Sequence, residues 1–342
     1  MKTTIRDIAK ECNVSKTTVS RFINNSGYIS KEVAERIEAK IKELNYVPSA
    51  TARSLSLQKS NMIGVIIPEV SNPFFGEVFK GISQVADKNN LSVFYCDTDN
   101  NAVKEHKSLS NLRGHEIRGV ILTPATGGLI NGNPDDEFIK RVEDLKVPVV
   151  LLDRDVEHVH WNGVFIDNFK GAYNSTRLLI ENGHTAIATI YGNQDLLIGK
   201  ERLLGYKQAL IDSGLDVIES NIYEGDFSTE QAYKQMMKII EENSKVSAVF
   251  SPNNLTTMGI FKALTKKKMR VPEDIAVVGF DDVELLNMLD IHLSAIQRDP
   301  RAMGEAAMEL LLKRMDNPSM KVEKIVMEPT LITRGSERKV NK

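Results

Sequence analysis

The chain has 342 residues and a formal net charge of −2, so it exceeds one typical domain, and two or three folding units are expected. Its two cysteines, Cys12 and Cys96, lie in apolar stretches, which predicts small buried side chains and excludes a disulfide framework. The N-terminus carries no apolar signal segment, and the longest apolar runs are far too short to span a membrane. We therefore expect a cytoplasmic protein with no membrane partner.

Charge is divided unevenly along the chain. Residues 1–60 hold 11 Lys and Arg against 6 Asp and Glu, whereas the remaining residues hold 33 against 40. A basic N-terminal module on an acidic body is typical of a DNA-binding head joined to a sensor domain. An acidic body is also ordinary for bacterial cytosolic proteins, so the basic head is the more informative half of this pattern.

The first 47 residues predict three short helices. Thr4 and Asp7 have the form of a capping box at the start of the first helix. Ser15 can cap the second helix, and the third follows Ser30. Apolar residues recur at helical spacing in all three. In chain order they are Ile5, Ile8, Ala9, Cys12, Val19, Phe22, Ile23, Val33, Ile37, Ile41 and Leu44.

The second helix has a polar and basic outer face. Two helices joined by a short turn, with such a face on the second, are typical of a helix-turn-helix reader of DNA. Lys16 and Arg21 can donate to guanine O6 and N7, and Thr17 can contact a base edge or a thymine methyl. Thr18 and Ser20 carry short hydroxyl groups suited to phosphate. A three-helix bundle with a solvated charged face would show the same periodicity, so periodicity alone leaves both interpretations open.

Several separate motifs in the first fifty-five residues agree in order and spacing with one known family. They are Thr4-Ile-Arg-Asp-Ile-Ala, Asn13-Val-Ser-Lys-Thr-Thr-Val-Ser-Arg21, Asn24-Asn25, Glu43-Leu-Asn-Tyr-Val-Pro48 and Ala52-Arg-Ser-Leu55. These motifs closely resemble the lactose-repressor family of bacterial transcription regulators, and the likeness continues more weakly to about residue 335. The resemblance implies a DNA-binding head whose candidate DNA contacts are Thr4, Ser15, Lys16, Thr17, Thr18, Ser20, Arg21 and Asn24.

The resemblance also gives the domain organisation. It implies an all-α helix-turn-helix domain over residues 1–47, a hinge helix and linker over 48–60, and an effector-binding domain over 61–338. The hinge would fold into a short helix when two subunits meet on DNA, with Leu55 wedged into the minor groove. Thr51 and Arg53 lie where backbone or minor-groove contacts are expected. Because so short a helix is marginal in water, lobe closure around a ligand could switch its folding.

From residue 62 onward, short apolar runs alternate with helical stretches, which is typical of parallel βαβ units. The continuous apolar character of these runs predicts strands that are buried on both faces. The runs cover residues 62–68, 91–96, 119–122, 147–152, 163–166, 185–191, 246–250, 275–280 and 293–296.

The family resemblance implies that this body is α/β and of the periplasmic-binding-protein type, with two Rossmann-like lobes. The near lobe is expected over about 61–162 and 295–322, and the distal lobe over about 163–292 and 325–338. The chain would cross between the lobes near residues 162–165, 291–297 and 322–327.

Polar residues follow the predicted strands at their carboxyl ends, where open α/β sheets bind ligands. Carboxylates and amides at such an edge suit a hydroxyl-rich ligand. Loops commonly begin with polar residues, so each residue is weak evidence by itself. Examples are Asp97, Asp153, Asp167, Asn193, Asn253 and Asp281.

Individual ligand-binding roles follow from the resemblance. Arg202 matches an arginine that reaches the ligand, and such a residue is unusual near a helix start because it opposes the helix dipole. Phe227 matches an aromatic that stacks on the ligand ring, although it could merely pack beneath a helix. Arg154 together with Arg202 leaves a sugar acid open. The two Phe residues among the remaining candidates could instead belong to the hydrophobic core. These candidates are Ser71, Asn72, Phe74, Phe75, Asp153, Asn253 and Asp281.

The sequence therefore predicts a homodimeric, ligand-responsive regulator, a repressor of carbohydrate-utilisation genes that binds pseudo-palindromic double-stranded operator DNA. A sugar or sugar derivative is the expected effector, and no cofactor or metal is predicted. Leu196 and Ile198 lie where a purine-responsive relative carries polar contacts, which disfavours a nucleobase corepressor. A phosphocarrier corepressor stays open. A sugar-processing enzyme and a sugar receptor are the contrary classes, and the chain contains no phosphate-binding loop or nucleophile-elbow motif for the former.

Overall fold

The structure, a computed structural model, describes residues 3–23, 26–46, 61–130, 133–157, 159–242 and 245–340. The chain divides into two compact units, Met1–Asn61 and Met62–Lys342. The predicted hinge contacts Thr51, Arg53 and Leu55, and Asn24 of the head, lie outside the described residues.

The N-terminal unit contains the three predicted helices, α1 (Ile5–Glu11), α2 (Lys16–Ile23) and α3 (Lys31–Glu43). The capping box is present, since the backbone N–H of Thr4 donates to Asp7 Oδ2 over 2.8 Å. The Thr18 N–H donates to Ser15 Oγ over 3.0 Å, which caps α2 as predicted. The buried core of this unit is formed by the residues that the helical spacing placed inward, namely Ile8, Ala9, Cys12, Val19 and Ile37.

The second unit alternates strands and helices along the chain. Its strands are β1 (Met62–Ile67), β2 (Ser92–Asp97), β3 (Val120–Leu122), β4 (Leu129–Ile130), β5 (Asn133–Pro134), β6 (Val149–Leu152), β7 (Asn162–Ile166), β8 (Ile187–Tyr191), β9 (Ile222–Glu224), β10 (Ala248–Ser251), β11 (Ala276–Phe280), β12 (Ser294–Gln297), β13 (Lys324–Met327) and β14 (Thr330–Ile332). Its helices are α4 (Pro73–Lys88), α5 (Ala102–Arg113), α6 (Asp136–Glu143), α7 (Asn168–Glu181), α8 (Leu197–Asp212), α9 (Thr229–Glu242), α10 (Asn254–Lys267), α11 (Glu284–Met288) and α12 (Pro300–Asp316), with a 3-10 turn at Glu219–Asn221. Within the described ranges, no helix has both the length and the apolar character that crossing a bilayer requires.

Two sheets form the cores of two lobes. The first has the strand order β13-β7-β6-β3-β1-β2, and the second has the order β14-β12-β11-β10-β8-β9. Neighbouring strands are parallel except that β14 runs antiparallel to β12. Central strands such as β7 and β11 are buried along their whole length, which confirms the prediction from their continuous apolar runs.

The lobe boundaries fall later in the chain than predicted. β7 pairs with β6 and with β13 in the first sheet, and β12 pairs with β11 in the second. The chain therefore crosses between lobes after each of these strands, near residues 167, 298 and 328. Assigning β7 and β13 to the distal lobe and β12 to the near lobe was wrong. Apolar character predicts that a strand is buried, but it does not reveal which sheet supplies its neighbours.

Helices α4 and α12 pack closely against one another on the near lobe. Gly81 of α4 lies against the backbone of Arg301, and a Cβ atom there would overlap the Arg301 carbonyl oxygen. Gly304 of α12 lies in the same way against the carbonyl oxygen of Val78. The two glycines let the helix backbones approach, and this contact supports the helix whose first turn lies beside the cleft described below.

Substitution of Gly81 by alanine is expected to destabilise the near lobe. The new methyl group would have to push two helix backbones apart, and overpacking of this kind costs about 1–3 kcal/mol. Gly76→Ala is the matched control, because Gly76 lies in the same helix with open space around it. That control should be neutral or stabilising by up to about 1 kcal/mol from helix propensity. Chemical denaturation measures both, and equal stability of the two variants would contradict the close packing.

Candidate functional site

The outer face of α2 carries exposed polar side chains. Lys16, Thr17 and Arg21 are exposed, and Ser20 is half-buried. Their spacing places them on adjoining parts of one helix surface. The half-buried Thr18 has its hydroxyl oxygen 2.8 Å from Ser15 Oγ, so this predicted phosphate contact also belongs to the helix cap. Ser15 and Thr4, at the starts of their helices, are exposed.

A cleft of about 490 Å³ opens at the carboxyl ends of the strands of both lobes. Ser71 does not line it; this exposed side chain instead donates to Glu69 Oε1 over 2.9 Å. The other predicted effector residues do line the cleft, and they are Asn72, Phe74, Phe75, Asp153, Arg154, Arg202, Phe227, Asn253 and Asp281.

Asn72 connects the near lobe to the distal lobe. It is the N-cap of α4, where its Oδ1 accepts the Phe74 N–H over 3.1 Å. The same oxygen accepts from Asn254 Nδ2 over 2.8 Å, across the cleft. Phe74 and Phe75 form an edge-to-face pair at 5.0 Å and belong to the near-lobe core as well as to the cleft wall. The positions of Phe74 and Phe75 are thus compatible with contact to a ligand and with a role in the core.

Arg298, which the sequence analysis omitted, bridges the two lobes at the base of the cleft. Its Nη1 donates to Asp153 Oδ1 and its Nε to Asp281 Oδ1, each over 2.6 Å. The guanidinium also lies 3.8 Å from the ring centroid of Phe74, a cation–π distance. Arg298 follows the end of β12 directly, as the predicted site residues follow their own strands. The rule that polar residues at the carboxyl ends of strands line the cleft therefore applies to Arg298 as well.

The ion pairs of Arg298 are almost completely removed from water. The side chains of Arg298, Asp153 and Asp281 are 5%, 6% and 9% exposed. Burial opposes the charge of Arg298, but the Asp281 and Asp153 carboxylates outweigh it and raise the arginine pKa. We refer to these three residues as the clasp. Breaking such a buried pair by removing one partner is strongly destabilising, because it leaves a charge without compensation.

The side chain of Arg202 extends from α8 to the cleft, and the residue is 2% exposed. Its Nε donates to Asn168 Oδ1 over 3.0 Å, and its Nη1 donates to the Pro252 carbonyl over 2.6 Å. The guanidinium carbon lies 3.8 Å from the centroid of the Phe280 ring and 5.8 Å from that of Phe227. Burial, and then the charge of Arg298, lower the pKa of Arg202 to about 10, so it is still protonated at neutral pH.

Arg154 is also buried at the cleft and is held by backbone oxygens. Its Nη1 donates to the carbonyls of Pro124 and Ala125 over 3.0 and 3.1 Å. The Ala125 N–H in turn donates to Glu105 Oε1 over 2.7 Å. Glu105 is fully buried, and this burial raises its pKa to about 8. Its carboxyl group is therefore largely uncharged at neutral pH.

Three of the predicted effector residues hold strained backbone conformations. Asp153, Phe227 and Asp281 have φ angles of 64°, 55° and 95°, in the region that favours glycine. Such positions cost about 1–3 kcal/mol each and persist where the surrounding contacts fix them. The Phe227 ring packs directly over Gly192, where a Cβ atom would overlap it. Asn253 has an ordinary extended backbone and caps α10 through the Thr256 N–H over 2.8 Å.

Glu105→Gln is expected to make stability less dependent on pH. The folded state keeps the Glu105 proton up to about pH 8, whereas the unfolded state releases it near its ordinary pKa of 4.5. The contribution of Glu105 to wild-type stability should therefore fall as pH rises from about 4.5 to 8 and level off above that window. Glutamine, which mimics the protonated acid, should be more stable than wild type at pH 7.5 by up to about 3 kcal/mol and equal to it at pH 4.5.

Urea denaturation at a series of pH values measures this difference. Glu143→Gln, at an exposed position of α6, serves as the control and should parallel wild type. A Glu105→Gln curve that also runs parallel to wild type from pH 4.5 to 8 would show that Glu105 ionises normally.

A helix-turn-helix head joined to a two-lobed body with a polar cleft defines a class, the ligand-responsive DNA-binding regulators. The comparisons with known proteins agree. Residues 4–49 match the family model described as bacterial regulatory proteins, lacI family. Residues 176–337 match the periplasmic binding protein-like domain.

Similar proteins are matched over nearly their whole length. The chain is 32% identical to the HTH-type transcriptional repressor PurR of Aliivibrio fischeri, over 97% of this chain and 98% of that protein. It is 31% identical to the ribose operon repressor of Escherichia coli, over 97% and 99% of the two chains. A lac repressor dimer bound to operator and an anti-inducer matches with a TM-score of 0.86 and 25% identity, over 99% and 100%. The protein belongs to the lacI family and is a ligand-responsive, DNA-binding transcription repressor.

Proposed function

We propose that this protein is a homodimeric repressor of carbohydrate-utilisation genes with a sugar or sugar-acid effector in the inter-lobe cleft. The single observation that carries the proposal is the set of groups that the two lobes present to one cavity. Buried carboxylates and guanidiniums from both lobes, with an amide at Asn253 and aromatic rings at Phe74 and Phe227, line the same cleft. Hydroxyl groups can donate to carboxylates and accept from arginines, while rings stack on the apolar face of a sugar.

The cleft composition supports a sugar over a nucleobase. Leu196 and Ile198 are buried in the lining, where they offer no polar side-chain group to a purine edge. The chain is about equally similar to PurR and to a ribose operon repressor, so the argument depends on the cleft lining. A catalytic role is disfavoured, because the sequence contains no phosphate-binding loop or nucleophile elbow and the similar proteins are repressors.

DNA binding is assigned to the exposed face of α2. Lys16, Thr17 and Arg21 offer the donors that base edges in the major groove require. Two such helices related by a two-fold axis would read the two halves of a pseudo-palindromic operator. The similarity to a lac repressor dimer on its operator supports this arrangement.

Effector binding would act on DNA through the closure of the lobes. Beyond the clasp, the lobes are joined by the Asn72–Asn254 hydrogen bond and by an ion pair in which Lys200 Nζ lies 2.8 Å from Glu157 Oε1. A ligand that binds the closed arrangement more tightly than the open one shifts the population toward closure. Closure would then set the spacing of the two hinge stretches, where Leu55 is the proposed minor-groove wedge.

Arg21→Ala is expected to weaken operator binding by about tenfold or more, since a bidentate base contact contributes about 1–3 kcal/mol. The operator would first be selected from a random duplex library with the full-length protein, and dissociation constants would then be compared at one fixed salt concentration. Arg36→Ala, at an exposed arginine of α3, is the control and should bind like wild type. Equal binding by the Arg21 variant would remove α2 from the reading surface.

Arg202→Ala is expected to abolish effector binding. A thermal-shift screen of pentoses, hexoses, sugar acids, sugar phosphates and purines should reveal a compound that stabilises the wild type by about 2.7 kcal/mol at a hundredfold excess over its dissociation constant. Arg177→Ala, at an exposed arginine of the neighbouring helix α7, should keep that response. A purine that stabilises the wild type, or a hit retained by Arg202→Ala, would contradict the proposed site.

A further inference from the structure

The buried part of the cleft carries an excess of positive charge. Three guanidiniums, those of Arg154, Arg202 and Arg298, line it, and all three are buried. The two buried carboxylates of the lining, Asp153 and Asp281, are both bound by Arg298. The clasp therefore engages one oxygen of each buried carboxylate that the cleft would otherwise offer to sugar hydroxyls.

Arg202 lacks an anionic partner among the described residues. It donates to the side-chain oxygen of Asn168 and to the carbonyl of Pro252, and both acceptors are neutral. The Glu201 carboxylate binds the amide of Asn168 over 3.1 Å instead of binding Arg202. The Nη2 atom of Arg202 is buried and has no hydrogen-bond partner in the described ranges of the chain. A buried charge in this condition is costly unless a further acceptor arrives.

Arg154 is in a similar condition. Its Nη1 donates to the neutral carbonyls of Pro124 and Ala125, and its buried Nε has no partner within the described part of the chain. Asp153 and Glu105 are the acids that attract Arg154 most strongly, but Asp153 is bound by Arg298, and Glu105 binds the Ala125 backbone and has a pKa raised to about 8. Within the described residues, the hydrogen bonds that hold Arg154 and Arg202 thus all go to neutral oxygens.

The more exposed lining of the cleft has the opposite charge. Its carboxylates would repel an anion that could not reach the buried arginines, and they would accept from hydroxyl groups at the outer end of a ligand. These residues are Glu69, Asp99, Asp195, Asp226 and Glu230.

We propose that the effector is a sugar acid whose single carboxylate accepts hydrogen bonds from Arg202 and Arg154, and that Arg298 sets this preference by binding Asp153 and Asp281. The carboxylate would enter first and the hydroxyl groups would face the acidic outer lining. One negative charge matches the excess of three guanidiniums over two carboxylates, whereas the double charge of a sugar phosphate exceeds it. The inference rests on the proposed function, because it takes the ligand to be a carbohydrate.

The test compares neutral sugars with acids of the same skeleton on the full-length protein by calorimetry. Suitable pairs are glucose with glucuronate and gluconate, galactose with galacturonate, and ribose with ribonate, with glucose 6-phosphate and hypoxanthine alongside. At least one acid should bind about tenfold or more tightly than its neutral partner, as expected when a charge-assisted hydrogen bond replaces a neutral one.

Variants of the clasp test the role of Arg298. Arg298→Gln should lower the preference for the acid by about tenfold, because Asp153 and Asp281 then regain free acceptors and negative charge. Arg298→Lys keeps the positive charge and should keep the preference. Arg301→Gln, at an exposed arginine in the next turn, should bind like wild type. If Arg298→Gln does not fold, Arg154→Gln provides the second measurement. This variant should weaken the binding of the acid more than the binding of the neutral sugar.

The possible outcomes distinguish a failure of the sugar-acid inference from a failure of the proposed carbohydrate effector. Two results would overturn the sugar-acid inference but not the carbohydrate effector. One is a neutral sugar that binds the wild type as tightly as the acid of the same skeleton, and the other is a sugar phosphate that binds more tightly than the acids. Binding of hypoxanthine, or of no sugar or acid in the panel, would overturn the carbohydrate effector and the inference with it. An unchanged preference in a folded Arg298→Gln would overturn the role of Arg298 alone.

Discussion

The ligand-binding body depends on one buried cation that two carboxylates share across the lobes. Arg298 binds Asp153 of the near lobe and Asp281 of the distal lobe over 2.6 Å each, and it stacks on Phe74. In a site so poorly exposed to water, the attraction between these charges is large and so is the penalty for separating them. The relative position of the lobes is therefore tied to the electrostatics of the cleft.

The fold brings these charges together because both sheets end at the same place. Asp153 follows β6 of the first sheet, and Asp281 and Arg298 follow β11 and β12 of the second, so the strand ends of both sheets bring all three to one cleft. The positive φ angles at Asp153 and Asp281 turn the chain sharply at those strand ends. Close helix contacts, such as that of Gly81 with the backbone of α12, hold the near lobe behind them. Two lobes joined by short crossovers suit the ligand-driven closure that we propose.

Local chemistry was sufficient for the head and for most of the cleft. The spacing of apolar residues and the caps at Thr4 and Ser15 predicted its helices, since such signals act within a few residues of the chain. Continuous apolar runs predicted the buried strands of the body. Except for Ser71, the predicted effector residues line the cleft. Asp153, Asn253 and Asp281 do so because the strands that precede them fix them at the sheet edges, whereas Arg202 reaches the cleft from α8.

By itself, the sequence determined the class of the protein: a basic helix-turn-helix head and an α/β body with polar strand ends. Only the tertiary structure decided which sheet holds β7, β12 and β13, because strand pairing depends on partners far away in the chain. It also decided how the charges of the cleft are paired. Nothing in the sequence links Asp153 to Asp281, and Arg298 binds both only because folding places residues 145 and 17 positions away against it.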